Sequence, residues 1–199
     1  METKFSKSKK ILALTQSAIF IALATVLSFL PIYEMPMGGS VTLASMLPIL
    51  FIGLKFGYKW GLASSGIYAF IQLAQALIKG NVFVWCTTAI TVIVCVLFDY
   101  IVPFSILGFS AFARNKNGEK LSIVKISVVF SIIIAIRFVC HYITGVAIWG
   151  QWAPDGMGKF LYSFLYNIEY MLPELIITVV IGVFLMSSSE IEKLLTKEK

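Results

Sequence analysis

Six long apolar runs, joined by short polar links, leave this chain few ways to fold. They lie at about residues 11–30, 42–57, 60–78, 85–112, 122–148 and 160–187. A helix that crosses the hydrocarbon of a bilayer needs roughly 17–25 mostly apolar residues, so each run reads as a transmembrane helix, the second being the shortest. The fourth and fifth exceed the minimum and must tilt, kink or protrude, with Pro103 as the expected kink in the fourth. The runs are continuous and lack the dyad alternation of a membrane β-barrel. Composition agrees. Hydrophobic residues make up 59% of the 199 and charged residues 13%, against about 25% charged in an ordinary soluble chain. Too few polar side chains remain to shield the surface from water, so lipid must cover it. The expected architecture is an all-α integral membrane protein, a single bundle of six helices forming one domain over residues 1–199.

The net charge of +6 does not point to nucleic acid, because the basic residues sit in the links between apolar runs. Lys4, Lys7, Lys9 and Lys10 precede the first run; Lys55 and Lys59 lie at the junction of the second and third. Arg114, Lys116, Lys120 and Lys125 lie at the junction of the fourth and fifth, and Lys193, Lys197 and Lys199 follow the sixth. Thirteen of the sixteen cations therefore share one side, against Lys79 and Lys159 on the other, while Arg137 lies inside a run. Cytoplasmic loops carry the excess of Lys and Arg, which places both termini in the cytoplasm. The first run is too long for a removable signal peptide and lacks a clear small-residue cleavage site. No two-fold internal repeat of the secondary-transporter kind is visible.

Catalytic signatures are missing. The stretch Gly53–Lys59 lacks the ending of a nucleotide-binding P-loop, and neither a metalloprotease helix motif, a nucleophile elbow nor a dinucleotide fingerprint occurs. The chain reads as a non-enzyme with no cofactor of its own and no ATPase site. Cys86, Cys95 and Cys140 form no metal-type cluster and read as small apolar residues. Ionisable residues inside spans are costly and mark function. Here they are Asp99, Arg137, His141, Glu169 and Glu174. Arg137 and His141 share one face of the fifth helix; Asn167, Tyr170 and Glu174 share one face of the sixth. The two helices run in opposite directions, so Arg137 and Glu174 reach one depth and are expected to form a structural ion pair. His141 and Asn167 lie nearer the outer end.

Around that outer end gather Trp149, Trp152, Tyr162, Tyr166 and Tyr170, in and after the link Trp149-Gly-Gln-Trp-Ala-Pro-Asp-Gly156. Interfacial belts account for some of these aromatics. An acid, a histidine, an amide and several aromatics converging below one loop suit a flat, cationic or polar heteroaromatic ligand: rings stack and attract positive charge, a carboxylate balances it, and an amide reads ring nitrogens. Paired glycines in Met37-Gly-Gly-Ser40 fit either a mobile lid or a plain turn. Ala18 and Ala22 sit one turn apart on the first helix, a spacing that admits another helix closely.

The sequence resembles the thiamine-specific S-components (ThiT type) of energy-coupling factor (ECF) vitamin transporters over nearly its whole length. The resemblance rests on Trp149-Gly-Gln-Trp-Ala-Pro-Asp-Gly-Met157, Phe160-Leu-Tyr-Ser163, Tyr166-Asn167, His141 eight residues before Trp149, and Met37-Gly-Gly-Ser-Val-Thr-Leu-Ala-Ser-Met-Leu-Pro48. It implies a multi-pass protein of the bacterial cell membrane that captures thiamine at the outer face. Trp149 and His141 would stack on the ligand, Tyr162 and Asn167 would bond its aminopyrimidine, Asp99 would supply the acid of the fourth helix, and Tyr68 the aromatic of the third. Asp99 is shorter than the glutamate of many relatives, and the first loop has no tryptophan of the kind some relatives use as part of the lid. The resemblance also implies a transmembrane coupling protein that packs on Ala18 and Ala22, and two cytoplasmic ATPases that spend the ATP and drive a toppling of the loaded S-component. Two other readings stand beside it. One is an S-component for another vitamin. The other is a proton-coupled secondary transporter with Asp99, Glu169, Arg137 and His141 as its relay.

Overall fold

The computed structural model describes residues 7–80, 83–115 and 121–196; Lys4, Lys116, Lys120, Lys197 and Lys199 lie outside them. Five helical stretches are long and apolar enough to cross a membrane. They are α1 (Lys7–Ser28), α3 (Tyr58–Lys79), the broken stretch Ala89–Ala113, α6 (Ile123–Ala147) and α7 (Lys159–Met186). Exposed Leu, Ile, Val and Phe cover the outside of the bundle, as expected of a surface solvated by lipid tails.

The second expected span is different. Its helix, α2, covers only Leu47–Phe56, and all ten residues are buried. At 1.5 Å per residue α2 is about 15 Å long, half a bilayer core. The chain before it is extended over Ser40–Thr42, advancing at about 3.3 Å per residue, and then turns through residues 43–46 into the helix. An extended entry followed by a short helix covers depth with fewer residues than a continuous helix would. Such backbone is tolerated at membrane depth only where protein or a cavity satisfies it. Thr42 shows how: its N–H and its Oγ1 each donate to Glu174, both at 2.7 Å.

Among the described residues the helical bundle is joined by one small sheet. Residues Pro31–Glu34 (β1) and Ser40–Thr42 (β2) form a two-stranded antiparallel hairpin. Gly38 and Gly39 take φ of +96° and +91° at its tip, a backbone that glycine alone adopts freely. The fourth span changes pitch three times: α4 (Ala89–Cys95), a π-helical turn (Val96–Ile101), α5 (Val102–Ser105) and a 3₁₀ stretch (Ile106–Ala113). Residues 85–88 precede the helix and are not part of it. Pro103 cannot donate to the carbonyl of residue 99, so the helix leaves α register around it.

Below the hairpin, α2, α3 and the 3₁₀ stretch meet backbone to backbone. A Cβ on Gly108 would stand 2.4 Å from the Gly61 carbonyl carbon, and one on Gly53 would stand 2.8 Å from the Gly108 oxygen. Small residues of this kind let helices approach closely in lipid. Ser110 Oγ donates to Leu50 O at 2.7 Å and Ser65 Oγ to Ser105 O at 2.6 Å. A short terminal helix that the apolar runs did not announce, α8 (Ser189–Thr196), closes this end. Lys55 Nζ bonds Leu194 O, and Glu192 Oε1 accepts from Leu121 N at 3.2 Å.

Candidate ligand-binding site

A cavity of about 240 Å³ opens beneath the hairpin, walled by α3, the π turn, α6 and α7. The π turn delivers Asp99. Its Oδ1 lies 2.9 Å from His141 Nδ1 and also accepts from Thr144 Oγ1. His141 and Thr144 are three residues apart on α6, so both reach the same carboxylate oxygen. The other oxygen, Oδ2, is buried and has no hydrogen-bond partner among the described residues.

Asp99 Oδ2 is not alone. Trp149 Nε1, Ser163 Oγ and Arg137 Nε are also buried without a hydrogen-bond partner among the described residues, and all four residues line this cavity. Buried polar groups in folded proteins are nearly always paired. Four such atoms around one void leave it with hydrogen-bonding capacity that a bound molecule could use.

Aromatic faces enclose the same space. Tyr162, Tyr166 and Tyr170 follow each other along α7 with ring centroids 5.9 and 6.4 Å apart, and His141 meets Tyr170 edge-on at 6.2 Å. The hairpin tip rests on this ladder. Tyr166 OH accepts from Met37 N at 2.9 Å and donates to Gly38 O at 3.0 Å, while Tyr162 OH points at Met37 Sδ, 3.5 Å away. A Cβ on Gly39 would stand 2.7 Å from the Tyr170 ring, so the tip needs glycine to lie this close. At the rim Tyr33 OH donates to Glu169 Oε1 at 3.1 Å, and Lys79 pairs with Glu34 at 2.6 Å. The neighbouring Glu169 carboxylate holds the Tyr33 hydroxyl above its ordinary pKa.

Of the expected ligand contacts, Asp99, His141, Trp149, Tyr162 and Asn167 all line the cavity. Asn167 is partly committed: its Nδ2 donates to Ser163 O at 2.8 Å and its Oδ1 accepts from Tyr170 OH at 2.7 Å. One amide proton remains for a ligand. Tyr68 stands one layer behind the wall. It is fully buried, reaches toward Ala24 O at 3.4 Å, and packs edge-on at 5.6 Å against Phe104, which does line the cavity. Ala18 and Ala22 are exposed on the outer face of α1, whereas Ala13, Ser17 and Ala24 face inward.

The expected Arg137–Glu174 ion pair is not formed. Thr42 occupies both Glu174 oxygens. The Arg137 guanidinium lies 4.3 Å over the Phe104 ring, and its Nη1 makes a long 3.5 Å contact with Pro103 O. Sequence spacing matched the depths of the two charges but could not show a competing threonine arriving on an extended strand. Sequence reasoning also missed Thr144 and Ser163 as site residues, although their offsets of three and four from His141 and Asn167 put them on the same helix faces.

Comparison with known proteins agrees with this architecture. The sequence signature of the family described as thiamine transporter protein (Thia_YuaJ) matches residues 14–193. The thiamine transporter ThiT of Bacillus subtilis (strain 168) is 31% identical over 185 residues, covering 88% of this chain and 91% of that protein. A solved structure of ThiT from Listeria monocytogenes has the same fold. Its TM-score is 0.72 at 24% identity, with 92% of this chain and 97% of that one covered. The chain is thus a multi-pass protein of the cell membrane and belongs to the thiamine transporter protein family, a family of transporters and not of enzymes.

Proposed function

We propose that this chain captures thiamine at the outer face of the membrane and delivers it to ATP-driven uptake by an ECF complex. The observation that carries the reading is the set of four unpartnered buried polar atoms around one aromatic-walled cavity. Thiamine is flat, permanently cationic at its thiazolium ring, and carries an aminopyrimidine. Asp99 Oδ2 offers a negative charge in a low-dielectric site, where Coulomb attraction is strong. The Trp149, His141 and tyrosine rings offer faces for stacking and cation–π contact. Ser163 Oγ and the free amide proton of Asn167 suit the nitrogens of the aminopyrimidine. Family membership and the thiamine transport activity for which the Bacillus subtilis relative is named point to the same ligand.

The coupling half of the proposal rests on α1. Ala18 and Ala22 form an exposed small-residue face one turn apart, and close packing is the main glue between helices in lipid. The ATP would be spent by two partner ATPases. A proton-relay reading is less supported: of its four residues Asp99 bonds His141, while Glu169 accepts from Tyr33 at the rim and Arg137 lies over the Phe104 ring.

Purified protein in detergent should quench its tryptophan fluorescence on adding thiamine. Changing both Ala18 and Ala22 to Trp should leave that binding near wild type and abolish uptake in cells. Uptake at the wild-type rate by the double variant removes the docking assignment. Thiamine uptake by this chain alone in vesicles, driven by a proton gradient, replaces the ECF reading with secondary transport.

A further inference from the structure

The turn that joins the third and fourth spans carries a pair of thiols that the ligand site does not use. It lies on the side opposite the two cytoplasmic termini, the outer side of the membrane. Cys86 is half-buried in this turn, and Cys95 is buried on α4. The Cys86 side chain packs on the small cluster formed by Cys95 and Ile148, beside Trp85, Tyr100 and Trp149. Its thiol lies within hydrogen-bonding reach of the Cys95 thiol and of the Thr91 hydroxyl. Thr91 and Cys95 are four residues apart, so they share the face of α4 that Cys86 covers. Helical side chains tilt toward the N-terminus, here the outer end, so Cys95 reaches up toward Cys86. Both sides of the contact are held by backbone. Cys86 N donates to Phe83 O at 3.1 Å, and Thr88 and Thr91 cap α4 reciprocally, each N–H donating to the other's Oγ1 at 3.0 and 3.2 Å.

We propose that Cys86 and Cys95 form a reversible disulfide on the outer side of the membrane, tying the 83–88 turn to the fourth span. Disulfides persist in the oxidising medium outside a cell and are rare in the reducing cytosol. A disulfide needs close Cα atoms and Cβ vectors that face each other, and thiols in contact already face each other. The oxidant is an external disulfide. The more exposed Cys86 thiolate attacks one of its sulfurs, breaks its S–S bond and releases one thiolate. The Cys95 thiolate then attacks Cys86 in the mixed disulfide and expels the second. The two thiols of the chain lose two protons and two electrons, and the external disulfide is reduced to two thiols. The tie extends by packing. Trp85, next to Cys86, meets Trp152 edge-on with ring centroids 4.8 Å apart, and Trp152 ends the turn that begins at Trp149. The oxidised form therefore fastens both outer turns to the bundle.

The full chain in detergent, incubated with oxidised glutathione and then alkylated, tests this by mass spectrometry. The chain should become lighter by two hydrogen atoms and yield one peptide pair joined through Cys86 and Cys95, with Cys140 alkylated after unfolding. The oxidised form should unfold several degrees above the reduced form, since a cross-link constrains the unfolded chain, and dithiothreitol should reverse the shift. Cys95→Ser should instead retain one glutathione on Cys86, because the resolving thiol is gone. The proposal is overturned if the wild type keeps glutathione on Cys86, if both thiols still alkylate after the oxidant, or if Cys86 pairs with Cys140. An unfolding temperature that does not respond to dithiothreitol removes the tie. Should Cys95→Ser fail to fold, the peptide map of the wild type decides alone.

Discussion

The two ends of this bundle solve opposite problems. At one end Gly53, Gly61 and Gly108 bring three backbones into contact, and the nearby hydroxyls of Ser65 and Ser110 are bonded to carbonyls of neighbouring helices. At the other end α6, α7 and the π turn line a void, with polar atoms of Asp99, Arg137, Trp149 and Ser163 left without hydrogen-bond partners among the described residues. In the first region the polar groups are satisfied by the protein itself, so a substitution there should be felt as lost stability. In the second the proposed thiamine would supply the missing partner, so a substitution there should be felt as lost affinity. Closeness stabilises one end, and incompleteness prepares the other.

The contrast breaks most visibly at Gly108. Gly108→Val would push a side chain into the Gly61 backbone, and overpacking of this kind costs about 1–3 kcal/mol or more. Thermal unfolding in detergent should show a larger drop than any substitution at the cavity, while the folded fraction still binds thiamine normally. Normal stability would mean that the glycine contact is not tight.

Asp99→Asn should do the reverse. Loss of the charge facing the thiazolium should weaken thiamine by about 1.5–3 kcal/mol in calorimetry, the range for hydrogen bonds to charged groups. A neutral analogue should suffer less, and stability without ligand should change little. Equal losses for charged and neutral ligands would turn Asp99 into a structural residue.

A smaller effect separates two residues on α7. Asn167→Ala removes a group bonded to Tyr170 and Ser163, so it should cost both stability and affinity, each by about 1 kcal/mol. Tyr162→Phe removes only a hydroxyl aimed at a methionine sulfur, a weak acceptor, and should cost less than Asn167→Ala on both counts. The reverse order would move the aminopyrimidine contact from Asn167 to Tyr162.

Least affected should be the rim. The raised pKa of Tyr33 means that its bond to Glu169 is fully present below the ordinary tyrosine value and is lost as pH rises through the higher folded value. Binding should therefore be flat across neutral pH as far as this bond is concerned. Tyr33→Phe should match wild type in that window; a clear loss would make the rim part of the site.

Much of this was legible in the sequence, for reasons that differ by residue. The long spans declared themselves because lipid demands continuous apolar runs. His141, Trp149, Tyr162 and Asn167 could be placed near one another because helical offsets and an antiparallel pairing fix their relative depth. Legibility failed where the backbone left the helix. The extended entry before α2 advances too far per residue for a hydropathy window to recognise, and it carried Thr42 to Glu174. Tyr68 shows a different limit: an aromatic facing inward can wall a cavity or support the wall, and only packing against Phe104 distinguishes the two.

The π turn at Val96–Ile101 also bears on how such a site changes over generations. A π turn amounts to an α-helix carrying one additional residue. Deleting a residue from it would restore regular winding and rotate the N-terminal half of the span by about 100° against its C-terminal half. Asp99 would then leave His141 without any change in side-chain chemistry. Length is therefore as much a determinant of this acid's position as identity. Exchange of Asp99 for a longer acid would keep the carboxylate on the same face, whereas loss of one residue between it and the end of the turn would swing it away from His141.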